Sequence, residues 1–296
     1  MSKGFKIVTA ISLIFIFAGI ALLTGALIAS KGDFKTISSA LEKFSGYFDG
    51  ANSIERTRTF RMPGTIKQIE ISFINSDITI QPSSDNKVHV SYDQKKNYGY
   101  TESTKNNKLY IKEDLNWNSI FNFSFRKSNV IVQLPMETLL TDLVLTNTNG
   151  NMFIDSVSAT ATVLIGTNTT VSVKDSLLDA FEFNNTNGDF SATGSVFKSL
   201  KQNSTNGNFN IRNSLFDSLR SERTNGDGTI EIAEPKDNYK IDFETTTGAF
   251  SLDSQSSRGS THLGGVSPSK SIYFKNTNGN LNINSRTSAL PSQVPK

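Results

Sequence analysis

The amino-acid sequence predicts an all-β chain, a right-handed parallel β-solenoid with rungs of about 19 residues, preceded by one N-terminal transmembrane helix. Three observations predict it. The triplet Thr-Asn-Gly, or a one-residue variant, starts at Thr148, Thr167, Thr186, Thr205 and Thr224, a constant step of 19 residues. Behind each triplet, apolar and polar residues alternate with the two-residue period of a strand that buries one face. Residues 7–29 form a run without a charged side chain.

The apolar run comes first. At 1.5 Å per residue Ile7–Ala29 reaches about 34 Å, enough to cross a hydrocarbon core of roughly 30 Å with some tilt. A cleaved signal peptide carries a shorter core of about 7–15 residues and a small-x-small site. Leu27 spoils that site ahead of Ala29. The run therefore reads as an uncleaved anchor partnered by the lipid bilayer. Lys3 and Lys6 favour an N-terminus inside the cell, an asymmetry that Lys31 and Lys35 weaken. The expectation is a single-pass cell-membrane protein with the bulk of the chain extracytoplasmic. Next, Phe34, Ile37, Leu41, Phe44 and Phe48 recur at three- and four-residue steps. They predict a short amphipathic helix, lying on the membrane surface or packed on the domain.

The expected organisation is a cytoplasmic tip and anchor at 1–30, an amphipathic linker at 31–60, a β-rich cap region at 61–145, solenoid repeats at 146–286 and a disordered tail at 287–296. Within the cap region, Ile66, Ile69, Ile71 and Phe73 lead into Asn75–Ile80, which resembles a degenerate first rung. Val88–Val90, Leu109–Ile111 and Val130–Val132 read as short strands closing the open end of the stack. Such closure is needed because exposed strand edges pair with other chains. The stretch from Lys95 to Lys108 reads as a polar loop.

Identity of the triplets follows from stacking. Rungs lie about 4.8 Å apart, so equivalent residues stand above one another. Asn149, Asn168, Asn187, Asn206, Asn225 and Asn278 then form a ladder of side-chain amides along the axis. Gly150, Gly188, Gly207, Gly226, Gly248 and Gly279 supply positive φ at the corner. The last two triplets, at Thr246 and Thr277, follow after longer steps, so the rungs there carry insertions. Ser176, Ser195 and Ser214 align, as do Phe181, Leu200 and Leu219, whereas the first rung around Val157 is looser by one residue. A leucine-rich repeat lacks its Leu-x-x-Leu-x-Leu frame here. Tandem hairpins would not need chemically identical turns.

The approach Val130–Pro135, the Asx-Gly-x-apolar-x-apolar turn and the Thr-Asn-Gly rungs resemble the adhesin-type domain of unknown function found in Firmicutes. With its leading helix the chain is similar to LiaG-like membrane-anchored envelope proteins. The resemblance spans roughly residues 60–286. It implies a β-solenoid at the bacterial envelope with a link to envelope-stress signalling, and it transfers no catalytic residues.

Little in the composition supports catalysis. The chain has no Cys and two His, and its net charge is +3. The excess sits in residues 1–35, so the remainder has no global pull on nucleic acid. His89 alternates with Val88 and Val90 and reads as solvent-facing, and His262 precedes a Gly-Gly pair. Asp155 and Asp175 stand at nearly equivalent corners, where a polysaccharide-cleaving enzyme could pair carboxylates, but Gly194 and Asn213 continue that column as a turn would. Asp189 and Asp227 follow triplets without the calcium nonapeptide of β-rolls. Lys198, Lys201, Arg212, Arg220 and Arg223 form a basic strip, with Asp217 and Glu222 to answer it. Trp117, Phe121, Phe123 and Phe125 cluster. The reading is a non-enzyme without cofactor or metal, a binding, adhesin-like protein whose partner is cell-wall polymer or a membrane sensor protein. The alternatives are a regulatory partner of an envelope-stress system and a polysaccharide-modifying enzyme.

Overall fold

The structure, a computed structural model, describes residues 54–61, 65–95, 98–115, 127–253, 255–264 and 268–285. The apolar run 7–29, the amphipathic stretch 34–48, the Trp117 cluster and the tail lie outside them. Among the described residues no helix is long and apolar enough to cross a membrane. Nineteen strands there join one hydrogen-bonded sheet.

In chain order these are β1 (Ile54–Arg61), β2 (Gln68–Pro82), β3 (His89–Lys95), β4 (Tyr98–Ser103), β5 (Lys108–Leu115), β6 (Ser128–Leu134), β7 (Leu139–Asp155) and β8 (Ser158–Lys174). There follow β9 (Leu177–Asn187), β10 (Phe190–Thr193), β11 (Val196–Asn206), β12 (Phe209–Asn225) and β13 (Gly228–Ile232). A 3₁₀ turn, Lys236–Asn238, leads to β14 (Tyr239–Thr247), β15 (Ala249–Leu252), β16 (Gln255–Arg258), β17 (Thr261–Gly264), β18 (Lys270–Asn278) and β19 (Leu281–Ser285).

The regular part is a β-solenoid with the predicted step. Parallel pairing sets Leu139 opposite Ser158, Ser158 opposite Leu177, Leu177 opposite Val196 and Val196 opposite Leu215. Each rung is a long strand, an Asn-Gly corner, a short strand and a second corner. At the second corner Ser156, Asp175, Gly194 and Asn213 adopt positive φ. Just beyond it, Ser176 Oγ accepts the Val157 N–H (3.1 Å), Ser195 Oγ the Ser176 N–H (3.2 Å) and Ser214 Oγ the Ser195 N–H (3.1 Å). The expected looseness around Val157 is absent: Val157 takes the serine's place in this column. Asp155 consequently pairs with Lys174, not with Asp175, and the two carboxylates occupy different columns.

Inward side chains stack as continuous columns. One runs Ile78, Met152, Val171, Phe190, Phe209, with Phe190 and Phe209 rings 5.2 Å apart and stacked. At the next rung the column holds Gly228, and a Cβ there would lie 2.6 Å from the Phe274 ring. The aromatic volume comes instead from β18, whose Phe274 meets Phe209 at 6.0 Å. Such columns account for stability without disulfides, since burying each large apolar side chain contributes on the order of 1.5–3 kcal/mol.

Rung order departs from chain order at both ends. β2 pairs in register with β7 on one side, Asn75 opposite Asn149, and with β5 and β6 on the other. The later β5–β6 rung is therefore the terminal one. At the far end β12 and β13 pair with β18 and β19, which pair in turn with β14 and β15. The last rung of the chain thus lies inside the stack, not at its end as the triplet order suggests. Antiparallel strands cover both terminal rungs: β3 and β4 on β6 and β5, and β16 and β17 on β15 and β14. Cap strands running against the stack leave their outer edges to short or charged segments, β1 carrying Arg56, Arg58 and Arg61.

The stretch from Lys95 to Lys108 is not a simple loop, for it contains β4 and the start of β5. Lys95 and Glu113 are buried together, Nζ to Oε1 3.1 Å, at side-chain exposures of 1% and 0%. Glu113 also accepts the Tyr100 hydroxyl (2.9 Å) and the Ile74 N–H (2.9 Å), and Lys95 donates to the Asn75 carbonyl (3.0 Å). This network ties the cap to the corner of the second rung.

Candidate functional site

The Asn-Gly corner organises the surface beside it. Along the stack, Asn149 Nδ2 donates to Asn75 Oδ1 (2.6 Å), Asn168 to Asn149 (2.8 Å), Asn187 to Asn168 (2.8 Å), Asn206 to Asn187 (2.7 Å), Asn225 to Asn206 (2.8 Å) and Asn278 to Asn225 (2.8 Å). Thr247 Oγ1 closes the series by donating to Asn278 Oδ1 (2.5 Å). Asn75 was missed because its corner reads Asn-Ser, without the Gly. All six bonds point one way, and aligned amides polarise one another.

Gly150, Gly188, Gly207, Gly226 and Gly279 have φ between 121° and 139°. A Cβ on Gly207 would stand 2.1 Å from the Gly188 carbonyl oxygen, so the corner needs glycine for space as well as for φ. Gly248 is outside the positive-φ group, and its constraint is the Gly279 carbonyl, 2.0 Å from a Cβ. Thr169 stands in the glycine position of its rung. There the residue three before is Gly166, whose missing Cβ would meet the Thr169 Cβ at 2.7 Å.

The residue after each corner forms a second ladder. Asp77 Oδ1 accepts the Asn151 N–H (2.7 Å), Asp189 Oδ1 the Asn208 N–H (2.6 Å), and Asp227 Oδ1 the Asn280 N–H (2.8 Å). Asp189 and Asp227 are accounted for as acceptors. Among the described residues no three His, Asp or Glu are grouped to hold a metal ion.

On the outer face of the strands, charges meet in pairs. Lys198 pairs with Asp179 (2.6 Å), Lys201 with Glu182 (3.1 Å), Arg220 with Glu222, and Arg212 with Glu231 (3.6 Å). The basic strip read from the sequence is therefore a set of exposed pairs, each worth little. Arg220 lies over the Tyr273 ring at 4.3 Å. His89 is not free in solvent but sits 2.5 Å from Asp85, and His262 lies 2.9 Å from Asp242.

Arg223 differs from the rest of that strip. It faces inward beside the corner, 5% exposed, in the column occupied by Asn185 and Ser204 below and Asn276 above. Asn185 and Asn276 each donate to a backbone carbonyl of a neighbouring rung, at 2.8 and 2.6 Å. Arg223 donates Nη1 to the Asp227 carbonyl (3.1 Å) and its guanidinium lies 6.0 Å from the Phe274 ring, while Nε and Nη2 are closed off from solvent without a hydrogen-bond partner among the described residues. Burial pushes its guanidinium down to about 10, the carboxylates of Asp189 and Asp227 partly offsetting this, so it stays charged at neutral pH. Beside it the apolar column turns polar: Ser221 Oγ donates to Gln202 Oε1 (2.6 Å), and Gln202 Nε2 is buried without a hydrogen-bond partner among the described residues. A shallow depression of about 390 Å³ opens over this place, lined among others by Asn184, Asn203, Ser204, Glu222, Arg223 and Lys275. Sequence reading found Arg223 but not its burial, because only the register places it on the inward side.

Fold and corner define a β-solenoid with a polar, charge-paired outer face. The chain belongs to the Toastrack DUF4097 family, whose profile matches residues 66–284. No curated protein matches it. Solved structures similar to it include a candidate adhesin from Bacteroides fragilis, 14% identical over 78% of this chain and 96% of that one, TM-score 0.45. Another, described as a candidate lipid-binding protein from Parabacteroides distasonis, is 10% identical over 78% and 96%, TM-score 0.43. A candidate cell-adhesion protein from Clostridium sporogenes is 10% identical over 78% and 99%, TM-score 0.34.

Proposed function

We propose that the protein is a membrane-anchored, extracytoplasmic β-solenoid that works by binding, in the manner of an adhesin, and not by catalysis. Residues 7–29 hold it in the cell membrane with the N-terminus inside, and the solenoid presents its outer face to cell-wall polymer or to a membrane sensor protein. One observation supports the binding reading: a polar depression of about 390 Å³, lined by Asn184, Asn203, Ser204, Glu222 and Lys275 among others, opens beside the corner.

Protease shaving of intact cells expressing a C-terminally tagged chain tests the placement. Loss of the tag with a membrane-retained stub is expected, whereas protection until the cells are lysed would put the solenoid inside and end the adhesin reading. Pull-down of purified wall polymer by the solubilised chain tests the binding.

A further inference from the structure

Five of the ladder asparagines are followed by glycine: Asn149, Asn187, Asn206, Asn225 and Asn278. Asn-Gly is the dipeptide most prone to deamidation, because the glycine carries no Cβ to hinder its nitrogen as it turns onto the asparagine side chain. That nitrogen attacks Cγ, the Cγ–Nδ2 bond breaks, and the amide leaves as ammonia with the proton of the glycine N–H. Water then opens the succinimide ring. The product is aspartate or, with the chain rerouted through the former side chain, isoaspartate. Neither step needs a catalyst or a redox partner.

In the stack both reacting groups are engaged. Asn206, for example, donates Nδ2 to the rung below and accepts at Oδ1 from the rung above. The glycine nitrogens are held as well: Gly188 N–H donates to the Asn206 carbonyl (3.2 Å), Gly226 N–H to the Asn278 carbonyl (3.1 Å) and Gly279 N–H to the Thr247 carbonyl (3.0 Å). Asn149, Asn187, Asn206 and Asn225 each lie between two asparagines. Asn278 does not. Both of its guards come from Thr247, the hydroxyl on Oδ1 (2.5 Å) and the carbonyl on the Gly279 N–H. Thr247 is exposed and ends β14, which has no parallel strand on its other side among the described residues. Asn278 is itself exposed, whereas the other four are half-buried. Asn168, the other exposed amide of the ladder, is followed by Thr169, whose branched Cβ hinders attack.

We infer that Asn278–Gly279 is a site of spontaneous deamidation, a slow modification that begins beside the terminal rung and runs down the ladder. Conversion of Asn278 replaces the Nδ2 donor that Asn225 Oδ1 accepts (2.8 Å) by a carboxylate oxygen, so two acceptors face each other. In the isoaspartyl product the Asn278 α-carbonyl, which holds the Gly226 N–H, becomes a free carboxylate off the path of the strand. Asn225–Gly226 then loses both of its guards, and Asn206–Gly207 follows. Because all six amide bonds of the ladder point one way, the order runs from Asn278 toward Asn149. The inference is independent of the binding reading: it gives the folded chain a chemical lifetime set at its last rung.

The test is peptide mapping by mass spectrometry of the detergent-solubilised full chain, held in warm, mildly alkaline buffer with and without urea. Products at the five positions are followed in the natural protein, in Thr247→Val and in Thr247→Asn. The folded natural protein is expected to convert first at Asn278, several-fold faster than at Asn187, Asn206 and Asn225. In urea the five should react alike, because each is flanked by Thr and Gly. Thr247→Val removes one guard and should speed Asn278 several-fold. Thr247→Asn adds an amide to the end of the ladder, directly before Gly248. Position 278 should then slow, and the first product should appear at position 247. Equal rates at the five positions in the folded protein, a first product elsewhere, or no product at Asn278 while the urea-treated chain reacts each overturns the inference. So does an unchanged rate in Thr247→Val or a first site that Thr247→Asn fails to move.

Discussion

Asn225 and Asn278 are hydrogen-bonded neighbours at 2.8 Å, although 53 residues separate them in the chain. Between them in sequence lies a whole rung, β14 with β15, which the chain places beyond Asn278. The consequence is that β18 and β19 have a strand on each side, and the chain's last described segment is interior. Ends of repeat stacks ordinarily fray. Here the last described segment is held between two rungs, and the terminal rung is covered by its own antiparallel strands.

A chain ending at Ser269 should therefore lose more than one rung. With β18 and β19 gone, β14 and β15 have no parallel partner and face a gap beside β12 and β13. Hydrogen exchange should show protection lost together from β14 to β17 and kept from β7 to β11, because those strands pair with each other, with β2 and with β12. Protection retained in β14 would mean that the intercalated rung does not hold the terminal one.

The ladder amides make a graded prediction. Asn206 both donates to Asn187 and accepts from Asn225. Asn206→Leu leaves an acceptor and a donor without partners, an expected loss of about 1–3 kcal/mol. Thr247→Val removes only the closing bond and should cost about 0.5–1.5 kcal/mol. Asn238 is exposed in the 3₁₀ turn, and Asn238→Leu should stay within about 0.5 kcal/mol. Urea midpoints of the three variants in one background check the order.

Thr169 and Gly166 form a matched pair that reverses the Asn147 and Gly150 arrangement of the rung before. Gly166→Asn alone forces a Cβ to within 2.7 Å of both the Thr169 Cβ and the Asn185 amide oxygen. Overpacking of that kind costs roughly 1–3 kcal/mol. Adding Thr169→Gly converts the corner to the Asn-Thr-Asn-Gly of residues 185–188 and should recover most of the loss. A double-mutant cycle by denaturant titration measures the coupling, and additive losses would show that the two positions are independent.

How much of this was legible follows from what a repeat encodes. The 19-residue step is visible because equivalent residues share one environment, so Thr-Asn-Gly is imposed rung after rung. Stacking order is not visible, because Asn225 bonds equally well to any asparagine placed above it. Thr247 illustrates the point: its triplet looks like a degraded interior copy, yet it stands at the end of the ladder, where one hydroxyl suffices. Lys95 reads as the start of a polar loop because β4, whose Tyr100 packs beside it, has a polar sequence and pairs with β5 further along the chain. Arg223 was readable as a cation and unreadable as a buried one for the same reason.

The buried Lys95–Glu113 pair is expected to be costly to break and cheaper to replace. Lys95→Met leaves the Glu113 carboxylate buried with only the Tyr100 hydroxyl and the Ile74 N–H for partners, an expected loss of about 3–5 kcal/mol. Lys95→Met with Glu113→Gln removes the charge and keeps one oxygen for the Ile74 N–H, so the double variant should be more stable than Lys95→Met alone. Thermal melting of the two variants decides, and a double variant less stable than the single one would show that the charge itself holds the cap.

Alkali should unfold the protein from both ends. Burial, with Glu102 accepting its hydroxyl, pushes Tyr92 up to about 12. Burial raises Tyr100 and Tyr239 further, helped by Glu113 and Glu234. In the unfolded chain a phenol titrates near pH 10. Above that pH the unfolded state sheds protons that the folded state keeps, so the folded state binds more and stability falls as pH rises. The contribution is whole below about pH 10 and is lost progressively from there to about pH 12 for Tyr92 and beyond for the others. Lys95 and Arg223, which burial lowers from 10.5 and 12.5, act in the opposite sense, adding stability as pH climbs toward those values and offsetting part of the fall from the three phenols. Denaturant midpoints between neutral pH and pH 12 should be level first and then decline. Tyr92→Phe should shallow the decline by at most about 1.4 kcal/mol per pH unit, the limit for one proton. A decline of the same slope in Tyr92→Phe would show that the phenol titrates alike in the folded and unfolded chain.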